Sequence, residues 1–371
     1  MPLPVDIPEL LNEVTDLEKA RKTALSVSVY IDDSAPADLV AHVRRAFASE
    51  LATVRLTMGY LGSSAANAYP TDDIAVIVAG ASDVVGPSAA AIRGAGVPCM
   101  VCATQPALVE LIAAAANAPI PDGDLIVPSA PERTIAKNIG KMVSRNIPKS
   151  ANAVARGLSG LAHAAQITEE EAMADPIELN EAASSALDMR MGEWIAVVCR
   201  EKRLAFALAF PFVRRPLALE AVSETALQNA GVGLIPFLRA ADMPIMTLNQ
   251  SKMVLQIAAA YGKPLSYERA KEILAVVGGA FGCRSVARKL TGYVPALGGI
   301  IRLGVGFAGT EAMGRAVIEY FEGGENVAGV TRVAEKTIGA ASCVYSQVRE
   351  KIDDVRSNVE GTAPGQTGNA E

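Results

Sequence analysis

Short β-branched runs alternate with segments of helical spacing between residues 25 and 128, and this alternation constrains the fold more than any other feature of the chain. Each run is bounded by Asp, Gly or Pro, as strands commonly are. The runs are Leu25–Ile31, Thr53–Leu61, Ile74–Ala81, Val97–Ala103 and Leu125–Pro128, and the helical segments between them are Ala37–Leu51, Pro87–Gly94 and Gln105–Asn117. The pattern predicts a Rossmann-like three-layer α/β domain over residues 24–150, with helices on both faces of a parallel sheet.

The rest of the chain has helical patterning. Residues 1–23 form a predicted N-terminal leader helix, and residues 151–358, which contain no convincing strand, form a predicted all-α bundle. The predicted helices of this bundle are Asn152–Ala165, Leu179–Met191, Trp194–Phe210, Pro216–Asn229, Val232–Ala240, Met246–Tyr261, Ser266–Gly279, Arg284–Thr291, Leu297–Phe307, Thr310–Phe321 and Val327–Val359. The composition of residues 359–371 predicts a disordered tail.

The composition excludes several classes of protein. Half of the 371 residues are apolar and only 5% are aromatic, so the cores must consist of finely packed aliphatic side chains. A net charge of -6 provides no basic footprint for nucleic acid. The N-terminus has no signal-peptide pattern, and the five cysteines are scattered as free thiols would be. We therefore expect a cytoplasmic protein in a reducing compartment.

Glycine and alanine crowd into the apolar stretch Met243–Phe321. Small residues at this density let helix backbones approach closely, at membranes or in tight hairpins of soluble cores. Arg302 interrupts the apolar run, so a plain membrane-spanning helix is not predicted. The pattern favours a hairpin over Pro295–Tyr320 that contacts lipid, a partner protein or its own bundle. The residues assigned to this contact are Pro295, Gly298, Gly299, Arg302, Gly304, Gly306, Gly309 and Gly314.

Three segments carry a resemblance to a known family. They are MPIMTLNQSKMVLQIAAAYG (Met243–Gly262), ERAKEILAVVGGAFG (Glu268–Gly282) and YVPALGGIIRLGVGFAGTEAMGRAVIEYF (Tyr293–Phe321). Through them, residues 226–321 resemble the YcjF-type, GTPase-associated domain of unknown function (domain of unknown function 697), a bacterial helical module often joined to Era-like GTPase domains. The resemblance implies association with a membrane or with a GTPase.

The predicted α/β domain departs from a GTPase at the places where nucleotide would bind. A P-loop needs GxxxxGK[ST] after the first strand. This chain has DDSAPADL (Asp32–Leu39) there, and two carboxylates would repel a phosphate. After the fourth strand it reads ATQPAL (Ala103–Leu108) instead of Asn-Lys-x-Asp. We therefore predict a degenerate GTPase-like domain without a P-loop and without a cofactor.

Two motifs match cofactor or redox signatures in spacing only. Cys99 and Cys102 form CxxC, but their predicted strand favours buried structural thiols over a redox pair, and one such pair gives no metal site. Gly304–Gly309 matches GxGxxG, but no predicted strand precedes it. A role in packing or in a hairpin bend is favoured over dinucleotide binding.

The charged and polar candidates also have ordinary explanations. His42 fits a solvated helix face and His163 fits the interior of the bundle. Thr168 and Glu171 form a capping box, which explains the acidic run around them. The basic residues Arg200, Lys202, Arg203, Arg214 and Arg215 flank the apolar segment Leu204–Phe212. Such a segment lies either at a lipid headgroup surface or in a core with solvated ends, and the sequence leaves both open.

The sequence thus predicts a non-catalytic adaptor or scaffold. Its expected partners are the cytoplasmic face of a membrane, a GTPase or a second copy of itself, and nucleic acid is not among them. The alternative is an NTP-dependent enzyme with an unorthodox site at Asp32 and Asp33, which could hold Mg²⁺ at the carboxyl edge of the sheet.

Overall fold

The computed structural model describes residues 7–62, 66, 69–128, 167–233, 242–266 and 298–324. The chain divides into two compact units. The sheet unit comprises Leu11–Glu220 and Gln256–Leu265, and the helical unit comprises Met1–Leu10, Ala221–Leu255 and Ser266–Glu371. The predicted boundary near residue 150 and the predicted tail lie outside the described residues, as do the predicted helices Asn152–Ala165, Ser266–Gly279 (apart from Ser266), Arg284–Thr291 and Val327–Val359.

A parallel sheet of five strands forms the centre of the sheet unit, as predicted. The strands are β1 (Leu25–Ile31), β2 (Val54–Tyr60), β3 (Ile74–Val78), β4 (Cys99–Cys102) and β5 (Leu125–Ile126). Their order across the sheet is β2-β1-β3-β4-β5, and every neighbouring pair is parallel. This is the doubly wound order of flavodoxin-like folds.

Ten helices lie within the described residues. They are α1 (Ile7–Arg21), α2 (Ala37–Ala46), α3 (Val85–Gly94), α4 (Pro106–Ala115), α5 (Glu169–Ala172), α6 (Glu181–Val198), α7 (Arg203–Ala209), α8 (Arg214–Gly233), α9 (Asp242–Ala260) and α10 (Gly298–Glu322), and a 3-10 turn (Pro211–Val213) precedes α8. Pro106 occupies the first turn of α4, where its missing N–H has no intrahelical partner to lose.

Both faces of the sheet are buried at β3, β4 and β5 and almost throughout β1, which explains why these strands are largely apolar runs, whereas the edge strand β2 is partly exposed. On one face, α3 and α4 pack against side chains that include Ile77, Cys99 and Val101. On the other face, Val29 and Met100 are also fully buried. The helices α2 and α6 contact β3 and β5, respectively.

The segment Leu204–Phe212 belongs to the core of the sheet unit. Phe206 and Phe210 are fully buried. The ring centroid of Phe47, at the end of α2, lies 5.1 Å from that of Phe210 and 5.2 Å from that of Phe212. Aromatic pairs at such distances add to the stability that burial provides. Of the two sequence-based alternatives for this segment, the structure shows the core.

The predicted helix break between Met191 and Trp194 is wrong, because α6 runs without interruption through both residues. Gly192, at the predicted break, is in close contact with the segment that follows the helix. A Cβ atom there would come within 2.6 Å of Pro216 Cγ and 2.9 Å of the Phe212 carbonyl oxygen. The glycine therefore permits close approach of the following segment, and it does not end the helix.

The predicted Gly/Ala-rich hairpin is also wrong over the described residues, because residues 298–322 form the single helix α10. A glycine in a helix interior costs only about 1 kcal/mol relative to alanine, so close packing can offset it. Such packing occurs at Gly314, where an added Cβ would lie 2.6 Å from Val222 Cγ1. Within the described part of the chain, none of the helices has the length and apolar character needed to cross a membrane.

Candidate functional site

The carboxyl ends of β1 and β3 mark the point where the strand order reverses, and doubly wound folds usually bind ligands there. Asp32 follows β1 directly and is only 4% exposed. Its backbone N–H donates to the Val78 carbonyl at 3.0 Å. Its carboxylate Oδ2 accepts from the Gly80 N–H at 2.9 Å and from the Ser34 hydroxyl at 2.7 Å. Asp33 is exposed beside it.

The loop after β1 is in direct contact with the loop after β3 at this point of the sheet. A Cβ atom at Gly80 would lie 2.5 Å from Ser34 Oγ and closer still to the Ser34 backbone. The turn after β1 therefore packs directly on the turn after β3, and Asp32 holds the two together. Among the described residues, no group of three His, Cys, Asp or Glu side chains could hold a metal ion. This geometry does not favour the Mg²⁺ site considered for Asp32 and Asp33.

A cavity of about 480 Å³ lies at the carboxyl end of β4, within the sheet unit. Its walls include Thr104, the first turn of α4 and the segment that contains α5. Backbone pairing fixes this segment, because the Ile177 N–H donates to the Thr104 carbonyl at 2.9 Å. The Gln105 amide also donates to the Ala174 carbonyl at 3.0 Å.

Two polar groups belong to residues that line the cavity. The Thr104 hydroxyl is buried and has no hydrogen-bond partner among the described residues. Gln105 occupies the N-cap position of α4, but its side chain forms no capping hydrogen bond to that helix. The positive end of the α4 macrodipole is thus directed at this cavity without a side-chain cap.

The CxxC residues are buried thiols, as predicted. Cys99 and Cys102 are free and fully buried in β4. Burial raises the pKa of the Cys99 thiol to about 12 and raises the pKa of Cys102 as well. A reactive cysteine needs a lowered pKa and access to solvent. The geometry therefore does not favour the redox hypothesis for this pair.

The prediction of a solvated His42 is wrong. His42 is only 6% exposed, and its Nε2 lies 2.7 Å from Asp188 Oδ1 on α6. The Arg45 guanidinium, which can only donate, is 3.2 Å from His42 Nδ1. Nδ1 is therefore the acceptor and Nε2 carries the proton that is donated to Asp188. The imidazole connects α2 to α6, whereas His163 lies outside the described residues.

The capping box is confirmed. The Thr168 N–H donates to Glu171 Oε2 at 2.9 Å, and the Glu171 N–H donates to Thr168 Oγ1 at 3.3 Å. The hydrogen bonds of the capping box thus account for the presence of a glutamate at position 171, near the start of α5.

Most of the basic residues around Leu204–Phe212 have partners within the sheet unit. Lys202 Nζ lies 2.6 Å from Asp73 Oδ1, and Arg203 lies 3.7 Å from Glu220. Arg214 Nε donates to the Ala207 carbonyl at 3.1 Å. These contacts tie the flanks of the apolar segment to its own core.

The predicted contact residues separate into three groups. Pro295 lies outside the described residues, and Gly298, Gly299, Arg302, Gly304 and Gly306 lie in the first turns of α10. Gly309 is exposed, and an added Cβ there would meet nothing within 4 Å. Gly314 is in close contact with Val222 of α8.

Sequence reasoning missed a buried polar cluster in the helical unit. The Asn229 amide donates to Thr310 Oγ1 at 3.0 Å, and the Asn249 amide donates to Asn229 Oδ1 at 2.9 Å. Asn229 and Thr310 are fully buried. The two residues are 81 positions apart in the chain, so no local pattern could reveal their pairing.

Comparisons with protein-family models, with curated proteins and with solved structures found no match to this chain.

Proposed function

We propose that this chain is a non-catalytic adaptor that attaches to the cytoplasmic face of a membrane or to a GTPase. The proposal rests on the close contact between the turn after β1 and the turn after β3. Oδ2 of the Asp32 carboxylate, which the alternative enzyme would need for Mg²⁺, already accepts from the Ser34 hydroxyl and from the Gly80 N–H. A phosphate site at this edge would need free backbone N–H groups and a cation, and these turns supply acids.

Nucleotide binding provides the first test. Thermal unfolding of the full chain would be followed with GTP or ATP and Mg²⁺, because any ligand of the native state raises the melting temperature. We expect no change for the parent chain. A rise that disappears in Asp33→Asn, a variant of an exposed side chain, would instead show a nucleotide–Mg²⁺ site at Asp33 and contradict the proposal.

Attachment is tested in cells. The resemblance of residues 226–321 to the YcjF-type module supports a membrane or a GTPase as partner. Since Leu204–Phe210 and Gly314 lie in protein cores, we expect peripheral attachment. Carbonate washing of the membrane fraction should therefore release the protein, or cross-linking should recover it with a GTPase. A protein that is absent from membranes and is cross-linked to no GTPase would contradict the proposal.

A further inference from the structure

The edge strand β2 pairs with β1 through its odd-numbered residues. Just before β2, the Thr53 carbonyl accepts from the Leu25 N–H at 2.9 Å, and just after it, the Leu61 N–H donates to the Ile31 carbonyl at 2.7 Å. In a parallel pair, every second residue of a strand directs both its N–H and its C=O to the same neighbour. The odd-numbered residues of β2 therefore face β1, in agreement with the register of the two strands.

The even-numbered residues of β2 direct their backbone N–H and C=O groups away from the sheet. β2 is the first strand in the order β2-β1-β3-β4-β5, so no strand of the described sheet lies beyond it. Unpaired backbone groups in such a position are a template for a further strand. Side chains at this edge are accessible too, since Met58 is 39% exposed and Tyr60 is 64% exposed.

The features that usually prevent an edge strand from pairing are missing from β2. Such strands are very short, contain proline or carry outward charges. β2 has seven residues, VRLTMGY, and Arg55 is its one charged residue. The Arg55 guanidinium donates to Asp72 Oδ1 at 2.9 Å and to the hydroxyl of Ser26 on β1 at 2.8 Å. The charge of the strand is therefore paired within its own chain and directed back towards β1.

The sequence of β2 is complementary to a second copy of itself that runs antiparallel. A twofold axis at Thr57 places the even-numbered residues of the two copies opposite one another, as hydrogen bonding between their free edges requires. Leu56 then lies opposite Met58 of the second copy, and both side chains are apolar. Val54 lies opposite Tyr60 of the second copy, and pairs of a β-branched with an aromatic side chain stabilise antiparallel strands.

The charges and side-chain sizes of the odd-numbered residues also fit this register. Arg55 lies opposite Gly59 of the second copy, so the charged residue of each strand meets no like charge. An added Cβ at Gly59 would meet nothing within 4 Å, which leaves open space beside the Arg55 side chain. Thr57 lies opposite Thr57 of the second copy, and Thr–Thr pairs are favourable across strands. A second copy meets all these conditions through symmetry alone.

We propose that two copies of this chain form a dimer by antiparallel pairing of their β2 strands about a twofold axis at Thr57. The two five-stranded sheets then form one continuous sheet. Because a single strand pair buries less area than an obligate dimer interface does, the dimer is reversible at micromolar concentrations. This surface goes beyond the proposed adaptor function, since self-association through β2 requires neither a membrane nor a GTPase.

Sedimentation velocity of the full chain over the micromolar range tests the dimer. We expect a reversible change from the mass of one chain to the mass of two. Met58→Lys places a charge opposite Leu56 of the second copy and should raise the dissociation constant of the dimer by about 10-fold or more. Met173→Lys, at a methionine just after α5 that is 77% exposed, is the matched control and should dimerise as the parent does. A monomeric parent, or undiminished dimerisation of Met58→Lys, would overturn the proposal.

Cysteine cross-linking tests the register. In Thr57→Cys the two new thiols lie directly opposite each other at a non-hydrogen-bonded pair, where the Cβ atoms are close enough for a disulfide. In Gly59→Cys the two thiols are about 14 Å apart along the strands. We expect mild oxidation to give a disulfide-linked dimer of Thr57→Cys, and neither Gly59→Cys nor the parent chain with its five cysteines should give one. No cross-link in Thr57→Cys, or an equal one in Gly59→Cys, would overturn the proposed pairing.

Discussion

A single missing methyl group at Gly80 allows the two turns at the carboxyl edge of the sheet to touch. In Gly80→Ala the new Cβ would collide with the Ser34 backbone and lie 2.5 Å from its hydroxyl oxygen. We expect the free energy of unfolding, measured in urea, to fall by about 1–3 kcal/mol. Gly59→Ala is the matched control, since nothing lies within 4 Å of its added Cβ, and it should be neutral or stabilising. Equal losses in both variants would contradict the close contact.

The buried thiols should make stability fall at alkaline pH. Burial raises the pKa of Cys99 and of Cys199 to about 12 in the folded chain. In the unfolded chain each thiol titrates near about pH 8.5. Above about pH 8.5 the unfolded chain loses the thiol protons, whereas the folded chain keeps them up to about pH 12. The free energy of unfolding therefore decreases as pH rises through this range. Urea unfolding across this range should show a shallower decrease for Cys99→Ala, and an unchanged slope would argue against the burial of Cys99.

Some side-chain environments follow from local sequence and others do not. The capping pair of Thr168 and Glu171 was predictable because its partners are three residues apart on one helix. The contact of His42 with Asp188 was not, because the partners are 146 residues apart and the neighbouring Arg44 and Arg45 suggested a solvated face. Hydrogen bonds of this kind depend on which helices the fold brings together.

At the scale of elements, the packing of α8 against α10 depends on Gly314. Gly314→Ala should lower the free energy of unfolding of the helical unit by about 1–3 kcal/mol, because the new Cβ would collide with Val222. Gly309→Ala on the same helix meets open space and should raise it by up to about 1 kcal/mol through helix propensity. Circular dichroism during urea unfolding measures both effects.

A compensating variant separates this collision from a general loss of helix stability. Val222→Ala makes room for the new methyl group, so in a double-mutant cycle it should recover part of the loss caused by Gly314→Ala. Strictly additive losses would mean that the two residues do not touch.

Elements were predictable where a short-range pattern decides them. All five strands overlap their predicted runs, and β1 has the predicted bounds. The helices α6 and α10 each run without interruption through a position that separated two predicted helices, residues 192–193 in α6 and residues 308–309 in α10. At Gly192 the glycine permits close packing, and sequence alone does not distinguish a glycine that ends a helix from one that admits a neighbour.

At the scale of the whole molecule, we expect unfolding in more than one step. The only tryptophan, Trp194, is buried in the sheet unit, where its indole N–H donates to Asp124 at 3.1 Å. The fluorescence of Trp194 therefore follows the unfolding of the sheet unit, whereas far-ultraviolet circular dichroism follows the loss of helix in both units. Because chains of more than one compact unit often depart from two-state unfolding, the two urea transitions should not coincide. Coincident transitions in the parent chain and in Gly314→Ala would indicate a single cooperative unit.

The sequence by itself determined the parallel α/β sheet, the absence of a GxxxxGK[ST] motif after β1 and the buried thiols of β4. These follow from strand periodicity, from the residues after Ile31 and from an apolar strand context, all of which are local. Only the tertiary structure decided that Asp32 Oδ2 accepts hydrogen bonds from Ser34 and Gly80, that Leu204–Phe210 lies in a core and that Thr104 lines a cavity. Each of these depends on residues far apart in the chain, whose approach is set by the packing of whole elements.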